Sequence, residues 1–424
     1  MPTSMSDTIT APNITVRSWA SGNGTLIGLT SALPGRLIVS YDPSLNQTAT
    51  VVVTTSSNDL ADLIQTDIVP AGKIDIGIDE RGIHMTGSDQ QLKLSLAQRD
   101  VDITASLLVQ VTFNRPIADL TTTAETIVQN GALSLQDTLS SVGVTSLGSH
   151  NVWVDSVNAV TVSKLELTAG GRGSVFLTAP AVIATKRAKL TVLGGGAIGV
   201  QTASVTAGAL KTSVLGSGSA YVHGTVDATV LQSEVLGSGS VNYYPSGHCG
   251  NSKITILGSG SAYTASLACN NTKVDVLGSG SAYVQTVNTL SRSGFGSGRI
   301  NYFNITPAHL PKEKKRQWFF TPKAPAVVAV TENKYKTFEV APEPSALQEG
   351  VAVHVVQHIG WFSWPPIGST ADVPIVDSSA MTARLGHSTS TEAYGVGALA
   401  MMLAVAVAFV LFKKKQRGGY QPLL

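Results

Sequence analysis

The chain has 424 residues, of which 43% are hydrophobic, 13% are charged and 6% are aromatic, and its formal net charge is +2. The hydrophobic share is large enough to build a core, which excludes a globally disordered protein, and the length leaves room for more than one domain. Because the charge is almost balanced and no face is expected to carry a sustained basic stripe, a nucleic-acid-binding protein is disfavoured. Few charged residues beside abundant glycine, serine and threonine are typical of turn-rich β-structure.

Residues 1–102 contain short runs in which apolar and polar residues alternate, separated by Pro, Gly, Asn and Asp. Examples are GRLIVSY from Gly35, TATVVVTT from Thr48 and QLKLSLA from Gln91. These runs predict strands joined by turns. They lack the glycine phrase of the region that follows, so they form either irregular first coils of that region or a separate β-rich cap. Some cap is required, because the open end of a stacked fold exposes unpaired strand edges.

Residues 103–305 are the predicted solenoid domain, and the stretch from Gly148 to Tyr302 within it repeats one phrase at a period of about 21 residues. A repeat of this length is the sequence sign of a stacked, quasi-one-dimensional fold. The clearest copies are VLGSGSAYV at Val214, VLGSGSVNY at Val235, ILGSGSAYT at Ile256 and VLGSGSAYV at Val276. Strand alternation places the first and last apolar residues of the phrase on one side, which we expect to be the core, and the serines and the tyrosine on the other. The pattern therefore predicts a β-solenoid.

The glycines of the phrase are expected at the corners of the coils. There the chain bends sharply and the next coil lies about 4.8 Å away, so a side chain has no room, and glycine also accepts positive φ. The predicted structural glycines are Gly194, Gly216, Gly218, Gly237, Gly239, Gly258, Gly260, Gly278, Gly280, Gly296 and Gly298.

A second set of residues recurs five positions after the first glycine of each copy. It includes Tyr221, Tyr263 and Tyr283, interrupted by Gly199, Asn242 and Asn301, with Trp153 in an earlier copy. Aromatic side chains stacked along one face can bind sugar rings, and they can also simply stabilise the sheet. Because the row is interrupted and mixed with asparagine, the structural interpretation is favoured over a ligand-binding face formed by Tyr221, Tyr263 and Tyr283.

Cys249 and Cys269 are the two cysteines of the chain. They occupy nearly the same place in successive coils, so their backbones should stack about 5 Å apart, which is bridging distance for a disulfide. Free buried thiols are the alternative. Disulfides are typical of extracytosolic proteins.

The C-terminal third changes character several times. Residues 306–366 offer further strands and are predicted as a C-terminal β cap, and the small, polar residues 367–392 as a flexible stalk. Residues 393–412 are uncharged and apolar, long enough to cross a hydrocarbon core of about 30 Å as a helix. The KKKQR run that follows places residues 413–424 in the cytosol and the repeats on the other side of the membrane.

Two further sequence features bear on localisation. In the tail, Tyr420 and Leu423 fit the G-Y-x-x-Φ pattern, which resembles tyrosine-based endosomal and lysosomal sorting signals. The first residues show no signal peptide. A start further upstream is favoured, which makes the protein a single-pass membrane glycoprotein of the plasma membrane or endolysosomes with an extracytosolic ectodomain. The alternative is a tail-anchored cytosolic scaffold.

The GSGS phrase, preceded by a Val-Leu or Ile-Leu pair and followed by an apolar-polar-apolar triplet, resembles the putative auto-transporter adhesin head GIN domain family. The resemblance covers roughly residues 103–302 and is clearest from Val192 onward. It implies a right-handed, single-stranded parallel β-helix with an adhesive or structural role and no established catalytic residues. The C-terminal apolar segment departs from the usual bacterial setting of that family.

No catalytic, metal or cofactor site is predicted. A β-helical carbohydrate-active enzyme needs acidic groups gathered on one face, and the regular coils hold only Asp227, Glu234 and Asp275, each at a different repeat position. The histidines show no metal-ligand spacing. The sequence thus favours an adhesin-like or structural surface module with a glycan or protein ligand and an unknown oligomeric state. The carbohydrate-active enzyme is the alternative.

Overall fold

The structure is a computed structural model, and it describes residues 13–19, 25–71, 90–311, 324–344 and 349–357. Within those ranges the regular structure is β-strand apart from one helix of six residues. No helix in these ranges has the length and apolarity that a membrane crossing requires. The predicted stalk, transmembrane helix and cytosolic tail, with Tyr420 and Leu423, lie outside the described residues.

All the strands belong to one sheet system. In chain order they are β1 (Asn13–Trp19), β2 (Leu26–Ser31), β3 (Arg36–Tyr41), β4 (Ala49–Thr55), β5 (Ile64–Pro70), β6 (Gln90–Leu96), β7 (Val101–Phe113), β8 (Asp119–Thr122), β9 (Glu125–Val128), β10 (Ser141–Ser146), β11 (Val152–Asp155), β12 (Val160–Gly171), β13 (Val175–Thr178), β14 (Ala181–Gly194), β15 (Ala197–Gly216), β16 (Ser219–Gly237), β17 (Ser240–Tyr244), β18 (Gly247–Gly258), β19 (Ser261–Gly278), β20 (Ser281–Phe295), β21 (Arg299–Phe303), β22 (Ala326–Val330) and β23 (Val351–Gln357). The helix α1 (Asn58–Leu63) begins where the Ser57 side chain accepts a hydrogen bond from the backbone N–H of Leu60.

From β8 to β22 the strands stack in parallel, and each pairs with the segment about one repeat later in the chain. The corner glycine Gly194 pairs with Gly216, which pairs with Gly237, and the same register continues through Gly258 to Gly278. The result is a β-solenoid of about eight turns. The prediction of an all-β parallel solenoid is confirmed, and its right-handed sense stays a prediction.

The core of the solenoid is a set of apolar columns. Val192, Val214, Val235, Ile256 and Val276 stack directly on one another, and each is fully buried. Burying one such side chain stabilises the fold by roughly 1.5–3 kcal/mol. Since every coil adds a residue to each column, the repeat itself builds a continuous core.

One large polar residue also lies inside the core. The Tyr243 side chain is fully buried, and its hydroxyl donates to Thr212 Oγ1 at 2.8 Å and lies 3.1 Å from Ser233 Oγ. Thr212 and Ser233 stack in one column, so the solenoid supplies both partners. Burial raises the pKa of Tyr243 to about 12, and the hydroxyl therefore stays protonated at neutral pH.

The corner glycines serve two different needs, which Gly216 and Gly218 illustrate. Gly216 has a φ of +127°, and a Cβ there would overlap the carbonyl oxygen of Gly194 in the preceding coil. That carbonyl accepts hydrogen bonds from the N–H of Ser217 at 3.1 Å and of Gly218 at 2.9 Å. A Cβ on Gly218 would overlap the carbonyl oxygen of Gly196. The first glycine is thus required by conformation and space, and the second by space.

The first glycine has positive φ, between +120° and +130°, in each of the copies from Gly194 to Gly296. These positions are Gly194, Gly216, Gly237, Gly258, Gly278 and Gly296. At the second set a Cβ would approach the glycine carbonyl of the preceding coil to within 2.6 Å or less, and the set comprises Gly218, Gly239, Gly260, Gly280 and Gly298.

At the N-terminal end the order of coils departs from the order of the chain. β2 lies between β6 and β8, and β3 lies between β7 and β9, all in parallel pairs. Beyond them β5 pairs antiparallel with β6, β4 pairs antiparallel with β7, and β1 pairs antiparallel with β4. The N-terminal region therefore supplies both a coil of the solenoid and the antiparallel strands that terminate it.

The two strands described within residues 306–366 lie at opposite ends of the solenoid. β22 pairs in parallel with β21 and adds to the last coil. β23 pairs antiparallel with the first half of β7 at the N-terminal end. Just before β23, Arg36 donates to the carbonyl oxygen of Glu349 at 3.0 Å, and it also pairs with Glu125 at 2.7 Å. The chain thus returns along the whole solenoid after completing it.

Candidate functional site

The residues that recur five positions after the first corner glycine form one straight row across eight coils. Strand register stacks each of them directly on the next. We name this row the ladder face, and it consists of Trp153, Phe176, Gly199, Tyr221, Asn242, Tyr263, Tyr283 and Asn301. Each lies between two inward-pointing residues; Tyr221, for example, lies between the buried Ala220 and Val222.

Phe176 belongs to the ladder face although the sequence analysis did not include it. The same spacing, counted from Gly171, would have found it. Its copy of the phrase, LTAGGRGSVFL, is one of the divergent ones. With Trp153, Phe176 forms a small cluster at 6.1 Å between ring centroids.

A later segment of the chain, residues 331–344, lies along the ladder face, and we name it the strap. Asn333 Nδ2 donates to Ser266 Oγ at 3.0 Å, and the N–H of Lys336 donates to Asn242 Oδ1 at 3.0 Å. Trp153 Nε1 donates to the carbonyl oxygen of Ala341 at 2.7 Å. As the strap advances its partners move to earlier coils, so it runs from the C-terminal end of the solenoid toward the N-terminal end.

Phe338 of the strap fills the gap that Gly199 leaves in the aromatic row. Its ring stacks on Tyr221 at 4.9 Å and on Phe176 at 5.7 Å between centroids. A Cβ on Gly199 would overlap the Phe338 ring. The interruption of the row at Gly199 is therefore filled by a side chain from the same protein. Tyr221 is covered by it.

A second aromatic stack contacts the strap at Tyr244, one coil closer to the C-terminal end of the solenoid than Tyr221. Tyr335 stacks on Tyr244 at 5.2 Å between centroids, and Tyr244 stacks on His223 at 4.9 Å. The Tyr244 hydroxyl accepts a hydrogen bond from the N–H of Phe338 at 3.1 Å. Burial raises the pKa of Tyr244. The phenol is thus a fixed, neutral acceptor for the strap backbone.

At the N-terminal end of the strap's path two carboxyl groups meet. Glu343 is hydrogen-bonded to Asp155 of β11. Partial burial, and then the negative charge of Asp155 and this hydrogen bond, raise the pKa of Glu343. The two carboxyls of a glycosidase are separated by roughly 5 Å or more, with the sugar between them. Two carboxyl groups that are hydrogen-bonded to each other leave no space for a sugar. We therefore interpret the Glu343–Asp155 pair as a contact that attaches the strap to the solenoid.

Beyond the strap's contact with Ser266 the ladder face borders a cavity of about 560 Å³. Tyr263 and Tyr283 stack on each other there, with centroids 5.1 Å apart and planes 13° apart. The cavity is lined by Ser281, Tyr283, Arg299 and Asn301 of the solenoid and by Glu332 and Lys334 of the strap. Among the predicted tyrosines, Tyr283 lines the cavity and Tyr263 stacks on Tyr283 from the preceding coil, whereas Tyr221 lies under the strap.

A second, smaller cavity of about 300 Å³ lies at the N-terminal end. Asp59 and Asp62 of α1 and Asp102 of β7 line it together with Arg99. Asp102 Oδ1 also lies 2.6 Å from His354 Nε2 of β23. In the described ranges no group of three or more His, Cys, Asp or Glu side chains is arranged to hold a metal ion.

Cys249 of β18 and Cys269 of β19 are directly opposite in the register and form a disulfide, with a Cα–Cα distance of 4.4 Å. Both side chains are buried. The bond therefore links two successive coils from inside the solenoid.

Solved structures that are similar to this chain include two from Parabacteroides distasonis. One, described as a putative adhesin, is 15% identical, with 75% of this chain and 97% of that chain covered and a TM-score of 0.34. The other, described as a putative lipid binding protein, is 12% identical, with 76% and 96% covered and a TM-score of 0.35. A putative adhesin from Parabacteroides merdae is 12% identical, with 76% and 98% covered and a TM-score of 0.33. Among curated proteins, none matches this sequence significantly.

The family comparison covers most of the solenoid. The model of the putative auto-transporter adhesin, head GIN domain family matches residues 42–305, which is more than half of the chain and includes every copy of the glycine phrase. The resemblance expected from the GSGS phrase is confirmed. The chain belongs to the putative auto-transporter adhesin, head GIN domain family.

Proposed function

We propose that this protein is a non-catalytic, adhesin-like surface module whose right-handed β-helix presents a carbohydrate-binding site at the Tyr283 cavity. The observation that carries the proposal is the combination of a stacked tyrosine pair with a cavity of about 560 Å³ on the ladder face. That volume lies within the range of small-ligand sites, roughly 300–1,000 Å³. Membership of an adhesin family supports the adhesive role.

The chemistry around Tyr283 suits a sugar better than an apolar ligand. An aromatic ring offers a flat apolar surface for the C–H face of a pyranose, while hydroxyl groups need hydrogen-bond partners. Ser281, Asn301 and Arg299 of the solenoid supply donors and acceptors, and Glu332 and Lys334 of the strap supply charged groups. A protein ligand that inserts a polar loop is the alternative occupant.

The test is binding of the full-length chain, purified in neutral detergent, to a glycan array and to immobilised extracellular-matrix proteins. Tyr283→Ala should weaken glycan binding about tenfold or more, because it removes the stacking surface. Tyr41→Ala, which removes an exposed tyrosine at the other end of the solenoid, is the matched control and should leave binding unchanged. Retention on matrix proteins alone would favour a protein ligand, and no retention on either would leave a purely structural role.

We also propose that residues 393–412 anchor the protein in the membrane, with the solenoid on the extracytosolic side and Tyr420 and Leu423 in the cytosol. The apolar length of the segment and the basic residues after it support this orientation. Protease treatment of intact vesicles, combined with a glycosidase shift assay, tests it. Protection of the solenoid within the vesicle lumen is expected. Its digestion from the cytosolic side would support the tail-anchored scaffold instead.

A β-helical carbohydrate-active enzyme is the second candidate, because the N-terminal cavity gathers three aspartates and an arginine on one side of the fold. Acid and base groups facing one cavity are what glycoside hydrolysis requires. Release of reducing ends from a panel of polysaccharides, abolished by Asp62→Asn, would support the enzyme over the adhesin.

A further inference from the structure

Lysines that are far apart in the sequence are stacked in a row by the register of the solenoid. Five residues before each first corner glycine, successive coils place Lys189, Lys211, Gln232, Lys253 and Lys273 directly on one another. We name these five residues the lysine row. The lysines are about 21 residues apart in sequence, so no basic run marks them. The expectation that no face carries a basic stripe is therefore wrong for this face.

The side chains of the lysine row point outward. The residues beside them in each strand, such as Leu190, Leu210, Ile254 and Val274, are fully buried in the core. Alternation along a strand then places the lysines on the outer surface. The row lies before the glycine corner and the ladder face lies after it, so the two surfaces are separate.

Most of the row has no carboxylate partner among the residues that the structure describes. Lys211 Nζ lies 3.9 Å from Glu234 Oε2, and Glu234 also accepts from Gln232 at 2.6 Å. For Lys189, Lys253 and Lys273 the structure gives no ion pair with any residue it describes. Two nearby acids are engaged elsewhere, because Glu166 pairs with Arg187 and Asp275 accepts a hydrogen bond from Ser293.

Stacked like charges destabilise a sheet unless something neutralises them. Coils are about 4.8 Å apart, so Lys189 and Lys211, and likewise Lys253 and Lys273, face each other as neighbouring cations. A ligand with negative charges along a line would relieve that repulsion at every step. The row occupies one strand position through five successive coils, which suits a linear polymer better than a compact anion.

We propose that the lysine row binds a linear polyanionic polysaccharide. Two observations favour a polysaccharide over a nucleic acid. The row contains no aromatic side chain on which bases could stack. The disulfide between Cys249 and Cys269 is typical of proteins outside the cytosol and nucleus, where acidic polysaccharides are the common linear polyanions.

The experiment measures binding of the full-length chain, purified in neutral detergent, to heparin, a sulfated polysaccharide. Uncharged dextran is the comparison. Binding is expected to heparin and not to dextran, and to fall steeply with salt because the charges lie at the surface. Lys253→Gln with Lys273→Gln should weaken heparin binding at least tenfold. Lys189→Gln with Lys211→Gln, at the other end of the row, should weaken it similarly. Circular dichroism and the melting temperature verify that each variant is folded.

The matched control is Lys93→Gln with Arg115→Gln, which removes the same net charge from exposed sites away from the row. It should change heparin affinity less than twofold. An equal loss in the control pair would mean non-specific charge attraction and overturn the proposal, as would absence of heparin binding at low salt. Stronger competition by duplex DNA of equal charge would overturn it in favour of a nucleic-acid ligand. Because Tyr283→Ala leaves the row intact, failure of the carbohydrate site at Tyr283 and failure of this one are distinguishable.

Discussion

Single residues decide how closely the coils can approach. Gly216 and its counterparts in the other copies combine positive φ with a backbone contact to the preceding coil, and that contact also satisfies two N–H groups of the corner. An L-residue pays a conformational cost in this region, and here it would also force the coils apart. A side chain at any of the first corner glycines is therefore expected to destabilise the solenoid.

Gly237→Ala should lower the free energy of unfolding by at least about 2 kcal/mol, because it adds left-handed strain to an overlap with the carbonyl oxygen of Gly216. Urea unfolding followed by circular dichroism measures the change. Ser238→Ala, at the exposed neighbouring position, is the control and should stay within about 0.5 kcal/mol of the natural protein. Equal stability of the two variants would contradict the role assigned to the corner glycine.

Among the elements, the strap determines which part of the ladder face is available. It covers the row from Trp153 to Asn242 through hydrogen bonds and through the Phe338 ring seated over Gly199. The Tyr263–Tyr283 stack lies beyond that covered part, and its Tyr283 lines the cavity of about 560 Å³. The strap thus stabilises the ladder face. It also shapes the candidate site, because Glu332 and Lys334 of the strap line the cavity.

The attachment of the strap at Glu343 should weaken as pH rises. The pKa of Glu343 in the folded protein is raised from its ordinary value of 4.5. Below pH 4.5 the carboxyl group is therefore protonated in both the folded and the unfolded protein, and it does not lower the free energy of unfolding. As pH rises through the raised pKa, the folded state must hold an ionised Glu343 beside Asp155, and stability is lost. Amide hydrogen exchange of residues 331–344, corrected for intrinsic rates, should be slower in mild acid than at neutral pH.

Glu343→Gln should remove this pH dependence and slow exchange in the strap at neutral pH, because an amide can donate to Asp155 without repulsion. The control is Glu339→Gln, an exposed strap residue, which should keep the pH dependence of the natural protein. An unchanged profile in Glu343→Gln would show that the carboxyl pair does not govern the strap.

On the scale of the whole molecule, the chain closes on itself. Antiparallel strands terminate the N-terminal end, β23 returns to pair there with β7, and the disulfide joins two coils near the other end. A stack in which each coil contacts its neighbours would otherwise unfold from its ends. The returning strap and strand link distant coils, which should make unfolding more cooperative.

Reduction of the disulfide should destabilise the molecule without changing its secondary structure. The bond closes a sequence separation of 20 residues, for which the loss is about 3 kcal/mol. The measurement is thermal unfolding with and without reductant, compared with the Cys249→Ser, Cys269→Ser double variant. That variant should melt lower and be insensitive to reductant. A natural protein that is equally stable when reduced would contradict the expected contribution of the bond.

The solenoid was predictable because each copy of the repeat contains the residues that define its own inward face and its own corner. Alternation around Val214 and Val235 defines the inward face, and the glycine pair defines the corner. The first coils were harder to predict, since β2 and β3 are stacked between strands that come later in the chain. The candidate site was only partly predictable. The spacing rule located Tyr263 and Tyr283, but nothing local to Gly199 indicates that Phe338 will occupy its place.

By itself the sequence determined the β-solenoid, its corner glycines and the positions that stack along one face, because these depend on a local pattern repeated about every 21 residues. The tertiary structure alone decided which of those stacked positions are covered, where the cavity forms and that four lysines make a charged row. Each of those features joins residues from different coils or from the strap. Contacts between residues far apart in the chain are set by packing and register, which no local pattern contains.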